Sequence, residues 1–128
     1  MPGYPQIDTL VAALAITDAT AHNPSTDATI DWAEVSVFES FTILVVSTLD
    51  QPLTVRLFGN YRENNADPAQ PFLATIAVPA AGSNSRTYAR EMDGWLPYVY
   101  PQIQAAGVPT TGTVTIRIIK SKRMETWE

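Results

Sequence analysis

With 128 residues, 45% of them hydrophobic and 16% charged, the chain has the length of a single domain and enough apolar content for a self-sufficient core, which argues against disorder. A net charge of −5, with Lys and Arg gathered only at Lys120, Lys122 and Arg123, argues against a nucleic-acid footprint. The absence of cysteine removes disulfides, thiolate metal sites and thiol nucleophiles, and a charge-poor surface suits a protein that packs against neighbours.

Met1 to Ile7 carries Pro2, Gly3 and Pro5 and reads as an N-terminal arm, residues 1–8, ahead of one domain over residues 9–128. The start lacks the positive stretch of a secretory signal, and Leu10–Ile16 is too short to span a bilayer, so the chain reads as made in a cytoplasm with no membrane partner. Thr9–Thr17 reads as a strand with Leu10, Ala12, Leu14 and Ile16 on one face. Asp18–Thr29, broken by Pro24, is a loop. Ile30–Glu39 resumes a strand with Ala33, Val35 and Val37 on one side.

Phe41–Asn60 reads as a hairpin. Its first strand, Thr42–Thr48, is an apolar run of the kind buried on both faces, and its second sets Leu53, Val55 and Leu57 against Thr54, Arg56 and Phe58. The turn between them is Leu49-Asp50-Gln51-Pro52. Tyr61–Pro71 is an exposed loop, and Phe72, Ala74, Ile76 and Val78 line the next strand. Ser83–Glu91 fits an edge. Trp95–Ala105 holds Pro97 and Pro101, which predict an edge or irregular strand. Gly107–Gly112 is a turn, and Thr113–Ile119 is a strand with Val114, Ile116 and Ile118 inward and Thr115 and Arg117 outward.

About seven or eight strands with frequent turn signals and no helix predict an all-β, antiparallel β-sandwich of jelly-roll type. Its core comprises Ile43, Val45, Leu53, Val55, Leu57, Phe72, Ile76, Val78, Val114, Ile116 and Ile118. The Lys120–Arg123 cluster reads as a solubilising tail.

Chemistry is sparse in this pattern. His22 is the only histidine, sits in a loop, and has no Gly-x-Ser-x-Gly elbow to serve. Asp18, Asp27 and Asp31 could gather around Ca²⁺, but their spacing matches no EF-hand and Asx-turns account for them. Phosphate loops are absent. The expectation is a non-enzyme with no catalytic residue, metal or cofactor. Trp32, Tyr88, Trp95, Tyr98 and Tyr100 suit either protein contact or stacking on sugars.

Two segments, STLDQPLTVRLFGN (Ser47–Asn60) and WLPYVYPQIQAAGVPTTGTVTIRII (Trp95–Ile119), resemble the strand-turn-strand units of small β-sandwich proteins of tailed-phage virions, Trp95–Ile119 being similar to their closing hairpin. The resemblance implies a structural subunit, a capsid decoration or head or tail accessory protein acting by assembly in the virion after synthesis in the host cytoplasm. It carries no catalytic residues to this chain. The expected partners are the chain itself, as a trimer, and a larger assembly such as a capsid, contacted through Tyr4, Pro5 and Ile7 of the arm and Trp95, Tyr98 and Tyr100. The alternative is a carbohydrate-binding module that stacks sugars on Trp95, Tyr98 and Tyr100.

Overall fold

The computed structural model describes residues 6–24, 27, 29–60, 70–89 and 97–121, the side chains of 60 and 70–74 excepted. The strands are β1 (Gln6–Leu14), β2 (Ala33–Glu34), β3 (Ser40–Ser47), β4 (Leu53–Asn60), β5 (Gln70–Val78), β6 (Ser83–Ala89), β7 (Tyr98–Ala105) and β8 (Val114–Ser121). They pair antiparallel into a first sheet of order β1-β8-β3-β6 and a second of order β2-β7-β4-β5. Only the β4–β5 connection joins neighbours within one sheet; every other passes from one sheet to the other. Two four-stranded sheets connected in this way are a jelly roll, so the predicted fold class is the observed one.

Alternation along the strands builds the core. Ile43 and Val45 of β3, Leu53, Val55 and Leu57 of β4, Ile76 and Val78 of β5, and Val114, Ile116 and Ile118 of β8 are all exposed by 2% or less. The predicted core is therefore correct at each of these positions; the Phe72 side chain lies outside the described residues. Val99 and Ile103 from β7, Leu10 and Val11 from β1, and Phe41 stacked on Tyr88 at 5.2 Å complete the apolar layer.

The expected hairpin over Phe41–Asn60 is not formed, because β3 and β4 belong to different sheets. Two-residue hairpin turns favour Asn-Gly or Asp-Gly steps, and Leu49-Asp50-Gln51-Pro52 holds no glycine. Leu49 is instead fully buried and takes the chain across the end of the sandwich. The expected closing hairpin separates likewise, β7 into the second sheet and β8 into the first. These two crossings are tied together. Thr48 N donates to Thr113 O at 2.8 Å and Thr113 N to Thr48 Oγ1 at 2.9 Å. Asp50 Oδ1 accepts from Thr110 N at 3.0 Å, and its other oxygen accepts from the Thr110 hydroxyl.

Strand β3 is covered on one face only: Val46 is 40% exposed because nothing among the described residues packs outside the first sheet there. The strand expected over Ile30–Glu39 contracts to Ala33–Glu34, after which the chain turns, leaving Val37 exposed and burying Phe38. At the N-terminus, Gln6, Ile7 and Asp8 belong to β1, paired with Lys120, Ile119 and Ile118, so the arm boundary at residue 8 falls inside a strand. The even alternation expected from Leu10 to Ile16 is broken by register shifts between Thr9 and Val11 and between Val11 and Leu14, and Leu10 and Val11 are both buried.

The proline-bearing strand β7 lies inside its sheet, between β2 and β4, rather than at an edge. Ile103 exchanges both backbone bonds with His22, and Pro97 O accepts from Val35 N, so the odd-numbered residues of β7 turn their backbone groups away from β4. Pro101 shares that direction. On that side β7 is paired with β2 only at Tyr98 and Val99, and the position opposite Pro101, Asp31, lies outside β2, so the missing N–H of Pro101 interrupts no strand pair.

Candidate functional site

The outward positions of the two sheets are the surfaces this fold presents, and they differ in chemistry. On the second sheet, Tyr98 and Tyr100 of β7 point outward beside Asn60 and Phe58 of β4. Phe58 and Tyr100 stack at 5.5 Å with planes 12° apart, and Trp32 meets Tyr100 edge-on at 4.5 Å. The three rings make a half-buried ridge across the sheet, and burial pushes the Tyr100 hydroxyl above its ordinary pKa. The next outward rung pairs Arg56 with Gln102, and the one after pairs Thr54 with Gln104. These two rungs floor an open groove of about 250 Å³ beside Ala19.

On the first sheet the outward residues fall in four rows: Ser121, Ser40 and Ala89; Ile7, Ile119, Thr42 and Thr87; Thr9, Arg117, Leu44 and Ser85; and Thr115, Val46 and Ser83. Arg117 is the single charge among them. Thr42 and Thr87 share a hydroxyl hydrogen bond of 2.8 Å, so part of the polarity of this face is satisfied internally.

Of the residues expected to make contacts, Tyr98 and Tyr100 share one face and Ile7 is 61% exposed on the edge strand of the other sheet. Those three therefore do not form one surface. Tyr4, Pro5 and Trp95 lie outside the described residues. Tyr88 is 1% exposed and stacks in the core, which removes it from any sugar platform. Lys120, expected in a solubilising tail, is buried at the end of β8: its Nζ lies 2.8 Å from Asp8 Oδ2, 3.3 Å from Glu34 O and 5.0 Å from the Phe38 ring centroid.

His22, expected in a loop, is held by its backbone bridge to Ile103, and its Nε2 donates to Asp18 Oδ1 at 2.8 Å. The same oxygen accepts from Thr20 Oγ1 at 2.7 Å and Thr20 N at 3.0 Å. Led by the Thr20 hydroxyl, these donors bring the Asp18 carboxyl down from 3.8 to about 2. Asp27 and Thr29 repeat the arrangement, at 2.7 Å from the hydroxyl and 3.1 Å from the amide. These carboxylates are engaged as turn caps, and no group of three or more His, Asp or Glu side chains is placed to hold a metal ion among the described residues.

Phe58, Arg56, Gln102 and Gln104 were not singled out from the sequence. The alternation in LTVRLFGN already set Arg56 and Phe58 outward, but only the β4–β7 register brings them beside Gln102 and Tyr100.

No protein-family description matches the sequence, and no curated protein does. Among solved structures, the chain is similar to a chain from Bacillus endospore appendages, described as a family of disulfide-linked pili, with a TM-score of 0.49 and 16% identity over 94% of this chain and 91% of that one. It is similar to the Tobacco streak virus coat protein, with a TM-score of 0.46 and 12% identity over 97% of this chain and 90% of that one. A structure described as a CBM4 matches with a TM-score of 0.41 and 17% identity, over 94% of this chain and 77% of that one.

Proposed function

We propose that this chain is a non-enzymatic structural subunit that self-associates, as a trimer, and stabilises a larger protein assembly. The assembly is a tailed-phage virion, made in the host cytoplasm, and the chain serves as a capsid decoration or head accessory protein. The observation that supports this reading is the outer face of the first sheet, where aliphatic and hydroxyl side chains surround Arg117 alone. Depletion of charge is what marks the buried centre of a protein interface, and an outward face that covers Leu44 and Ile119 only partly gains by association.

The test is light scattering across a concentration series. The parent chain is expected at three times its own mass, and Leu44→Asp and Val46→Asp at the monomer mass with unchanged far-ultraviolet spectra. A parent chain that stays monomeric at every concentration, or Asp variants that still assemble, overturns the proposal. Ile7→Asp serves better than deletion of Met1–Ile7, which would also remove the ladder pairs of Gln6 and Ile7 with Lys120 and Ile119.

A further inference from the structure

Arg56 lines the groove on the second sheet, and no ion pair engages it among the described residues. Its exposed guanidinium offers, in a planar fork, parallel N–H donors that match a carboxylate, so it can receive an anionic group of a ligand. Its neighbours narrow the choice of anion. Gln102 lies directly across from it, and Gln104 and Thr54 form the next rung. Amide and hydroxyl groups both donate and accept, as the adjacent hydroxyls of a sugar require. Gln104 donates from Nε2 to Ala19 O at 3.1 Å, which anchors its amide and leaves its oxygen as an acceptor.

About 7 Å along the strands from the Arg56 rung, the ridge of Trp32, Tyr100 and Phe58 supplies apolar area of the kind that covers the C–H face of a pyranose. A groove of about 250 Å³ is smaller than the roughly 300–1,000 Å³ of sites that engulf a ligand, so it suits a chain molecule lying along an open surface. A polypeptide strand is disfavoured, because it would need a free sheet edge and β4 is paired on both sides, with β5 and β7. Nucleic acid would need several cations where the groove has one.

We propose that this groove binds an acidic oligosaccharide, Arg56 taking a sugar carboxylate, Gln102, Gln104 and Thr54 the hydroxyls, and the aromatic ridge a ring face. This site is on the opposite side of the sandwich from the proposed assembly face and is independent of it. The test is calorimetric titration of the full chain with oligogalacturonate and with a neutral oligosaccharide of equal length. Oligogalacturonate is expected to bind at least about tenfold more tightly than the neutral chain, and Arg56→Gln to lose at least about tenfold, the size of one charge-assisted hydrogen bond. Gln102→Ala is expected to weaken binding, and Leu44→Asp on the other sheet to leave it unchanged. Absence of binding, equal affinity for the neutral chain, or full affinity in a folded Arg56→Gln variant overturns the proposal.

Discussion

The Lys120 ammonium lies 2.8 Å from the Asp8 carboxylate, with the lysine side chain 7% exposed and the aspartate 46%. The pair fastens the edge strand β1 to the central strand β8, and the additional bond from Lys120 to Glu34 O joins the two sheets at that end. Because one partner is buried and the other half in water, the two deletions should not be equivalent. Asp8→Asn leaves a buried charge with one carbonyl and one ring, and is expected to cost about 1 kcal/mol once solvent screening at the exposed partner is allowed for. Lys120→Met removes the charge itself and keeps the packing, and is expected to be neutral or stabilising relative to the parent. Urea unfolding of both variants checks the asymmetry; equal and large losses would refute it.

Truncation of the core should be costly wherever both sheets meet. Ile116 is fully buried between β1 and β3 in the first sheet, and Ile116→Ala is expected to destabilise by about 2–4 kcal/mol, as a shift in the denaturant midpoint at constant slope.

Gly112 has φ of 98°, and a Cβ placed there would lie 2.2 Å from Thr48 O. Both the backbone conformation and the space exclude a side chain where the β7–β8 crossing lies against the β3–β4 crossing. Gly112→Ala is expected to cost about 3 kcal/mol or more, whereas the exposed Ala106→Gly should cost less than about 1 kcal/mol. Thermal unfolding of the two variants side by side separates a local clash from general loop sensitivity.

The Asp18 carboxyl, brought to about 2 by Thr20 and His22, has its folded-state pKa below its ordinary value of 3.8. Its contribution to stability is therefore complete above pH 4 and lost as pH falls from about 4 towards 2. The amide proton of Thr20, which reports the bond directly, should titrate with a midpoint near 2 in an NMR pH series, and Thr20→Val should move the Asp18 midpoint upward. A Thr20 amide that titrates at 3.8 would remove the cap.

Strands whose in–out alternation is carried by single residues were readable directly. Val114, Ile116 and Ile118 against Thr115 and Arg117, and Leu53, Val55 and Leu57 against Arg56 and Phe58, fix both the strand and its buried face. Partnership was not readable, since Leu49 and the Thr48–Thr113 bonds decide that β3 and β4 separate, and those bonds join residues far apart in the chain. Pro101 misled for a related reason: a proline signals an unpaired direction, and the two-residue length of β2 supplies one inside the sheet. Tyr98 and Tyr100 were found from composition, whereas Arg56 and Gln102 acquire meaning only as cross-strand neighbours.

The pairing of β8 between β1 and β3 has a consequence for biosynthesis. The first sheet has no centre until Val114–Ser121 has been made, and contacts such as Ala13 N to Thr115 Oγ1 span 102 residues. A chain still on the ribosome can close the β4–β5 pair and the β3–β6 pair, but β1 has no strand partner and β3 is open on its other side until β8 emerges. Completion of the first sheet therefore waits for β8 and is slow for the size of the domain because the rewarding contacts are long-range, and the interval before β8 docks is when the chain most needs protection from aggregation.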